Sequence, residues 1–376
     1  MPSEREPLLL TPGPLTTSRT TREAMLRDWG SRDTDFIALN ARVRDRLVDI
    51  AGARGSHVCV PVQGSGTFAI EATIGTLLPR DGKMLVLVNG AYGKRIMRIC
   101  QMIGRAHAAI ETAEDVPNDV AALDAALAAD SSISHVAAIH CETTSGILNP
   151  IEAIAETVAR HGRSLMIDAM SAFGAIPLDA TKVPFDALVA SSNKCIEGLP
   201  GVGYAIIRES VIAAAAGNSH SLSLDLHDQW KAMEGNGQWR FTPPTHVLAG
   251  FDQALAEHAA EGGVAGRGGR YSANCRILVD GMRALGFETL LSDELQAPII
   301  VTFHSPSDPA FDFKVFYDGL RRRGYVIYPG KLTVADTFRI GCIGHVFEAD
   351  IRGALAAVEE VLNEMGVKNR GRARAA

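Results

Sequence analysis

Between about residue 55 and residue 210 the chain repeats one pattern, a short unbroken apolar run followed by an amphipathic stretch of helical length. The runs are "MLVLVNG" (84–90), "HVAAIHCETT" (135–144), "SLMIDAM" (164–170), "DALVASS" (186–192) and "GYAIIRES" (203–210). Most are continuous rather than alternating, as expected of parallel strands covered on both faces, since a strand with one wet face alternates with period two. Helices are expected over "TFAIEATIGTLL" (67–78), "YGKRIMRICQMIG" (92–104), "VAALDAALAA" (120–129) and "IEAIAETVARHG" (151–162). Strand–helix repetition with right-handed crossovers leaves one architecture, an open α/β sheet with a mostly parallel strand order.

After about residue 245 the texture changes. Helix-like "HVLAGFDQALAEHAAEGG" and "RYSANCRILVDGMRALG" precede the strand candidate "APIIVTFHS". The helix "FDFKVFYDGLRRRG", the short runs "YVIYPG" and "TFRIGCIG", and a last helix "EADIRGALAAVEEVLNEMG" follow. This reads as a smaller α+β domain, with the boundary near the proline-containing "WRFTPPTHV". The expected organisation is an N-terminal arm (1–15), a large α/β domain (16–250), a small C-terminal domain (251–366) and a flexible basic tail (367–376). The tail's arginines are read as a solvated end.

Composition removes several classes of function. With 47% hydrophobic and 21% charged residues the 376-residue chain is a soluble globular protein. Lys and Arg total 37 against 43 Asp and Glu, a net charge of -6, which gives no general attraction to nucleic acid or an anionic membrane. Six cysteines without a CxxC pair fit reduced thiols rather than a disulfide frame, and with eleven histidines they show no metal-ligand spacing, so no metal is expected. No signal segment and no apolar run of about 18 residues is seen, so the expected location is the cytoplasm.

In open α/β sheets ligands bind beyond the carboxyl ends of the strands. Those ends carry Asn89, Glu142-Thr143-Thr144, Asp168 and Ser191-Ser192-Asn193-Lys194. "QGSGTFAIEA" adds Gly64-Ser65-Gly66-Thr67 ahead of a helix, where backbone N–H groups form an anion site. It is neither a Walker A loop nor a GxGxxG dinucleotide fingerprint. A carboxylate at a buried strand end needs a partner, which is either a helix cap, an arginine or a cationic ligand atom. Lys194 follows Asp168 by 26 residues, one crossover along. Pyridoxal 5′-phosphate uses every member of this set: the turn at Ser65–Thr67 for its phosphate, an acid for its ring nitrogen, and a lysine amine for its aldehyde. Lys194 is therefore read as covalently committed, with the glycines after it leaving room for a ring. Tyr92, in "NGAYG" at a strand-to-helix turn, is read either as a ring-stacking residue or as a half-buried aromatic at a helix start.

At these residues the chain resembles the class V aminotransferases of fold type I. "LLLTPGPLTTSRTTREAM", "NGAYGKR", "CETTSGILNPI", "IDAMSAFGAIPLD", "SSNKCIEGLPG", "SHSLSLDLHDQW" and "FRIGCIG" resemble, within that class, the 2-aminoethylphosphonate–pyruvate transaminases. The likeness runs from about residue 7 to 365, and the segments around Lys194 and "SHSLSLDL" are its most specific parts. It implies that Lys194 is the Schiff-base lysine, Asp168 the partner of the pyridine nitrogen, and Ser65, Gly66 and Thr67 the phosphate cradle. It also implies that Tyr92 stacks on the ring, that Thr143 lies near the ring oxygen, and that Ser191 or Asn193 lies near the phosphate. Thr242 is expected to reach a neighbouring subunit's cofactor, which implies a homodimer, and Arg339 to clamp the anionic end of the substrate. Arg339 has a second reading as one half of a structural ion pair, because it sits in a strand-like run. The implied reaction converts 2-aminoethylphosphonate and pyruvate into phosphonoacetaldehyde and L-alanine.

The rivals share the fold or the cofactor. Serine– or alanine–glyoxylate transaminases would use the same cofactor residues, and only "SHSLSLDL" weighs against them. A cysteine desulfurase would have histidine where Asn193 stands. A non-catalytic cofactor-binding protein has no need of the lysine, aspartate and arginine together. The stretch Trp29-Gly30-Ser31-Arg32 departs from the family pattern and bears, if on anything, on substrate choice. His140, His220 and His246 are read as structural, because transamination requires no histidine.

Overall fold

A computed structural model describes residues 6–330 and 335–371. The first five residues of the expected arm, Lys331 in "VIYPGK", and the tail arginines Arg372 and Arg374 lie outside the described residues. The centre is one seven-stranded sheet: β1 (His57–Gly64), β2 (Lys83–Val88), β3 (Ala106–Glu111), β4 (Ile133–Ile139), β5 (Ser164–Asp168), β6 (Ala187–Ser191) and β7 (Gly201–Arg208). The order is β1-β7-β6-β5-β4-β2-β3. From β6 to β3 all neighbours run parallel, and only β7 is reversed, lying antiparallel to both β6 and β1. The expected α/β architecture with a mostly parallel sheet is the one found.

Every residue of β6 is buried, as are four of the five in β5, because helices cover both faces. One core holds Leu47, Leu85, Ile167, Leu188 and Tyr204; the other, across the sheet, holds Ile70, Ile74, Val86, Met166 and Val189. The strands absent from the sequence reading are the two edges. In β1, Pro61 lies opposite Tyr204, and a residue without an N–H is tolerated because one side of that strand has no neighbour. In β3 the burial is only partial, so no apolar run marks it. A 17-residue helix, Thr34–Ile50, also escaped that reading; Asp33 caps it and Phe36, Leu39, Val43 and Leu47 form its buried stripe.

A second, three-stranded sheet comprises β8 (Ile300–His304), β9 (Tyr328–Pro329) and β10 (Thr337–Gly341) in the antiparallel order β8-β10-β9. Helices Gly263–Ala284, Phe313–Arg322 and Glu348–Met365 pack on it around Phe287, Phe303, Phe316 and Phe338. The N-terminal segment belongs to both parts. Leu8–Leu9 pairs in parallel with Tyr325–Val326, Gly341 N donates to Leu10 O at 2.9 Å, and Pro12 then reaches Lys194. All six cysteines are buried and free. Among the described residues no helix is long and apolar enough to cross a membrane.

Candidate active site

Because six of the seven strands run the same way, their carboxyl ends open on one edge of the sheet. The last residue of β5 is Asp168, β6 ends at Ser191, and the β6–β7 connection carries Lys194. From β1 the chain turns at Ser65 into helix Gly66–Leu77, and from β2 it turns at Gly90 into helix Ala91–Met102, which carries Tyr92. The resulting cleft is lined by Ser65, Gly66, Thr67, Tyr92, Arg95, Cys141, Asp168, Met170, Ser191, Asn193 and Lys194. Eight of the eleven residues expected at the site from the sequence therefore meet in one cleft.

The β6–β7 loop is closed by Ser192. Its N–H donates to Val202 O at 3.0 Å, its Oγ reaches Leu199 O at 2.5 Å, and its carbonyl accepts from Gly198 N at 2.8 Å. Lys194 Nζ donates to Pro12 O at 2.6 Å. The next residue, Gly13, has φ +121°, and a Cβ there would stand 2.8 Å from both Cδ and Nζ of Lys194. The arm thus approaches the lysine as closely as only glycine allows.

Asp168 is 5% exposed, and its Oδ1 accepts one hydrogen bond, from Met170 N at 2.9 Å. Burial raises its carboxyl to about 6, against the pull of that N–H group, with nearby Glu142 adding to the rise. Glu142 is fully buried and its carboxyl is also pushed up by burial. Its oxygens accept from Thr144 N at 3.0 Å, Thr144 Oγ1 at 2.5 Å and Tyr92 N at 3.1 Å, so it caps the helix that bears Tyr92.

The remaining three lie apart from the cleft wall. Thr143 is fully buried, and its carbonyl accepts from Arg339 Nη1 at 2.8 Å. Arg339, 1% exposed, also donates through Nε to Pro329 O at 3.1 Å. Among the described residues no carboxylate lies within ion-pair distance of it; burial lowers its pKa, opposed by Tyr92, Tyr328 and Glu142. Among the described residues Arg339 thus makes no ion pair. Thr242 is exposed and lines a different groove, with Gln63, Gly64, Phe68 and Trp239. His140, His220 and His246 are absent from the cleft wall.

The residues fit pyridoxal phosphate on three observations. Ser191 Oγ, in the cleft wall, is buried without a hydrogen-bond partner among the described residues, so the site offers a polar atom to a ligand. A Cβ on Gly66 would come within 2.4 Å of the Met170 thioether, so a side chain there would have to displace that methionine from the cleft wall. Asp168 is a buried acid whose charge needs a cation.

Two residues here had little or no signal in the sequence. Arg95, inside "NGAYGKR", shows no role in the sequence alone, yet its exposed side chain borders the cleft. Glu197, three residues after Lys194, is buried with φ 62°, in the left-handed region that a non-glycine residue seldom adopts. It is held there by Arg270 Nη2 at 2.7 Å and Tyr271 OH at 2.5 Å. Its partners lie more than 70 residues away, so nothing local could reveal it.

Comparison with known proteins gives the following. The family described as aminotransferase class-V matches residues 19–314. A 2-aminoethylphosphonate–pyruvate transaminase of Burkholderia lata is 58% identical over 363 residues, covering 96% of each chain. The Pseudomonas aeruginosa protein of that name is 58% identical over 365 residues, 97% of this chain and 98% of its own. The crystal structure of pyridoxamine–pyruvate aminotransferase from Mesorhizobium loti superposes with a TM-score of 0.88 at 26% identity, covering 98% of this chain and 95% of that one. Ureidoglycine–glyoxylate aminotransferase from Bacillus subtilis superposes with a TM-score of 0.89 at 20% identity, covering 97% and 95%, a likeness of fold alone.

Proposed function

We propose a substrate pair for this chain, which belongs to the class-V aminotransferase family, has the fold-type I architecture and uses pyridoxal 5′-phosphate. The amine donor is 2-aminoethylphosphonate and the acceptor pyruvate; the products are phosphonoacetaldehyde and L-alanine. The observation that carries the reading is Arg339, a buried guanidinium with no carboxylate within ion-pair distance among the described residues, beside a cleft that holds Lys194 and Asp168. Such a group calls for an anionic ligand, and near-full-length relatives named for this pair support the phosphonate.

The cofactor, when bound, supplies an aldehyde for the amine and a cationic ring that takes up an electron pair. The residues do the rest. Ser65, Gly66 and Thr67 hold its phosphate at the start of helix Gly66–Leu77, with Ser191 and Asn193 beside them. Asp168 keeps the ring nitrogen protonated; facing that cation, its carboxyl gains the partner it lacks. Tyr92 would stack on the ring, and Thr143 would stand near its oxygen. Lys194 Nζ would anchor the cofactor and, when free, would take the proton from the amine-bearing carbon as a base and return it as an acid. Arg339 orients the anionic end of each substrate. The arm at Pro12–Gly13 covers Lys194 and helps to exclude water.

In this reading residues 16–250 hold the cofactor and residues 251–366 carry Arg339 to it. Thr242 reaches the cofactor phosphate of a second copy in a homodimer. Support comes from its exposure in a groove where Phe68 and Phe241 are 50% and 49% exposed, with Leu222 also exposed nearby, an apolar surface of the kind that interfaces bury. The working location is the cytoplasm.

The deciding experiment is the absorbance of the purified, cofactor-loaded enzyme with 2-aminoethylphosphonate and no keto acid. Conversion of the aldehyde-form band to the amine form is expected, and pyruvate should reverse it. A band unmoved by this amine but converted by alanine or serine would overturn the donor and favour a glyoxylate transaminase.

A further inference from the structure

We propose that Arg95 is a second guanidinium of the cleft, placed to bind a phosphoryl-type dianion, either the phosphate of the cofactor or the phosphonate of the amine donor. The second source rests on the donor reading above; the first does not.

Arg95 stands on the opening turns of helix Ala91–Met102 and shares the cleft wall with Thr67, Asp168 and Lys194. Its Nη1 donates to Thr67 Oγ1 at 3.2 Å, which brings the guanidinium to the glycine turn. Its Cζ lies 4.8 Å from the centre of the Tyr92 ring. Among the described residues it has no carboxylate within ion-pair distance. Helix stability does not explain it, because Lys94 and Arg95 sit at the positive end of the helix and no acid occupies the first turn. Cations at that end are unfavourable by the dipole alone, and an anion in the cleft reverses the sign.

Charge balance gives the reason for a second arginine. A phosphate monoester or phosphonate carries roughly -1.5 to -2 at neutral pH, so a loaded site with its donor holds two such groups. The helix start at Gly66 offers an equivalent of only about half a charge, and Arg339 one. Arg95 supplies another, in the planar fork that suits phosphoryl oxygens. A donor such as alanine presents a single carboxylate and makes less use of it.

The test compares Arg95→Gln and Arg95→Lys with the unaltered enzyme in two titrations. One measures the dissociation constant of pyridoxal phosphate for the cofactor-free protein, beside pyridoxal, which has no phosphate. The other measures half-saturation of the absorbance change by 2-aminoethylphosphonate and by alanine. If Arg95 takes the cofactor phosphate, Arg95→Gln weakens pyridoxal phosphate by roughly tenfold to a hundredfold, the worth of one charge-assisted hydrogen bond, and leaves pyridoxal unchanged. If it takes the phosphonate, half-saturation by 2-aminoethylphosphonate rises by a similar factor while alanine is unaffected. In either case Arg95→Lys, which keeps the charge and loses the fork, falls between. Arg95→Gln values within about twofold of the unaltered enzyme in both titrations overturn the proposal. Should the unaltered enzyme ignore 2-aminoethylphosphonate, the donor reading fails and the cofactor titration alone decides for or against Arg95.

Discussion

The two flanks of the Lys194 loop treat charge in opposite ways. Behind the loop, Glu197, Glu261, Arg267 and Arg270 form a closed set. Glu261 accepts from Arg267 Nε at 2.6 Å and Arg270 Nε at 2.7 Å, and its carboxyl is held down to about 2 by those arginines although burial opposes them. Arg267 also donates to Cys195 O, and Arg270 to Gly344 O and Val346 O. In front of the loop, Asp168 has one backbone N–H on its carboxylate, and among the described residues Arg95 and Arg339 have no acid within ion-pair distance and Ser191 Oγ has no hydrogen-bond partner. A buried charge set that is complete is architecture. One left incomplete by the chain, as at buried Asp168 and Arg339, is open to a ligand.

The largest effect that sharpens this contrast is at its centre. Lys194→Ala should abolish the half-reaction, removing more than the roughly 10²–10⁴-fold of positioned proton transfer, while thermal stability stays close to that of the unaltered protein. Single-turnover absorbance and a melting curve measure both.

Next, the flanks should respond differently to loss of a charge. Glu197→Gln leaves buried Arg267 and half-buried Arg270 short of an anion and should destabilise the fold by about 3–5 kcal/mol. Arg339→Gln removes a charge with no carboxylate within ion-pair distance among the described residues, so the cofactor-free protein should change by less than about 1 kcal/mol while half-saturation by the donor rises. Equal losses of stability in denaturant titrations would break the comparison.

A pH experiment tests the open flank. The Asp168 carboxyl titrates near 6 in the folded chain against 3.8 for an unperturbed group. The folded state therefore binds the proton more tightly, and its stability falls as pH rises from about 4 to 6, by about 3 kcal/mol in all. His135 and His140, pushed down to about 4 by burial, act oppositely and lose stability as pH falls from 6.5. The difference between the cofactor-free protein and its Asp168→Asn variant isolates the first slope. Bound cofactor, by facing Asp168 with a cation, should abolish it.

The smallest effect lies on the closed flank. Tyr271 OH donates to Glu197 and accepts from Gly344 N at 3.2 Å, which ties the lysine loop to the turn beyond β10. Tyr271→Phe should cost about 1–2 kcal/mol in a denaturant titration, with Gly344 N left unpaired. No measurable loss would mean that the closed set does not depend on this bridge.

Much of the site was legible because its signals are local. The strand runs and the carboxyl-end residues Asp168, Ser191 and Lys194 can be read within a few positions, and helix Val120–Ala129 begins and ends where the sequence places it. Edge strands escaped for the converse reason: Pro61 in β1 and the polar ends of β3 break the apolar run that betrays a strand buried on both faces. Arg339 was legible as an arginine in a strand but not as an arginine without an acid.

By itself, then, the amino-acid sequence determined the α/β class and the strand ends at which chemistry gathers, since periodicity and residue type act over a few neighbouring positions. Only the tertiary structure decided which charges are matched. Glu197 meets Arg270 across 73 residues, and Arg339 meets a carbonyl rather than a carboxylate across 196. Those encounters depend on how the second sheet, its helices and the arm settle on the first, and burial makes each match or mismatch far more consequential than it would be in water.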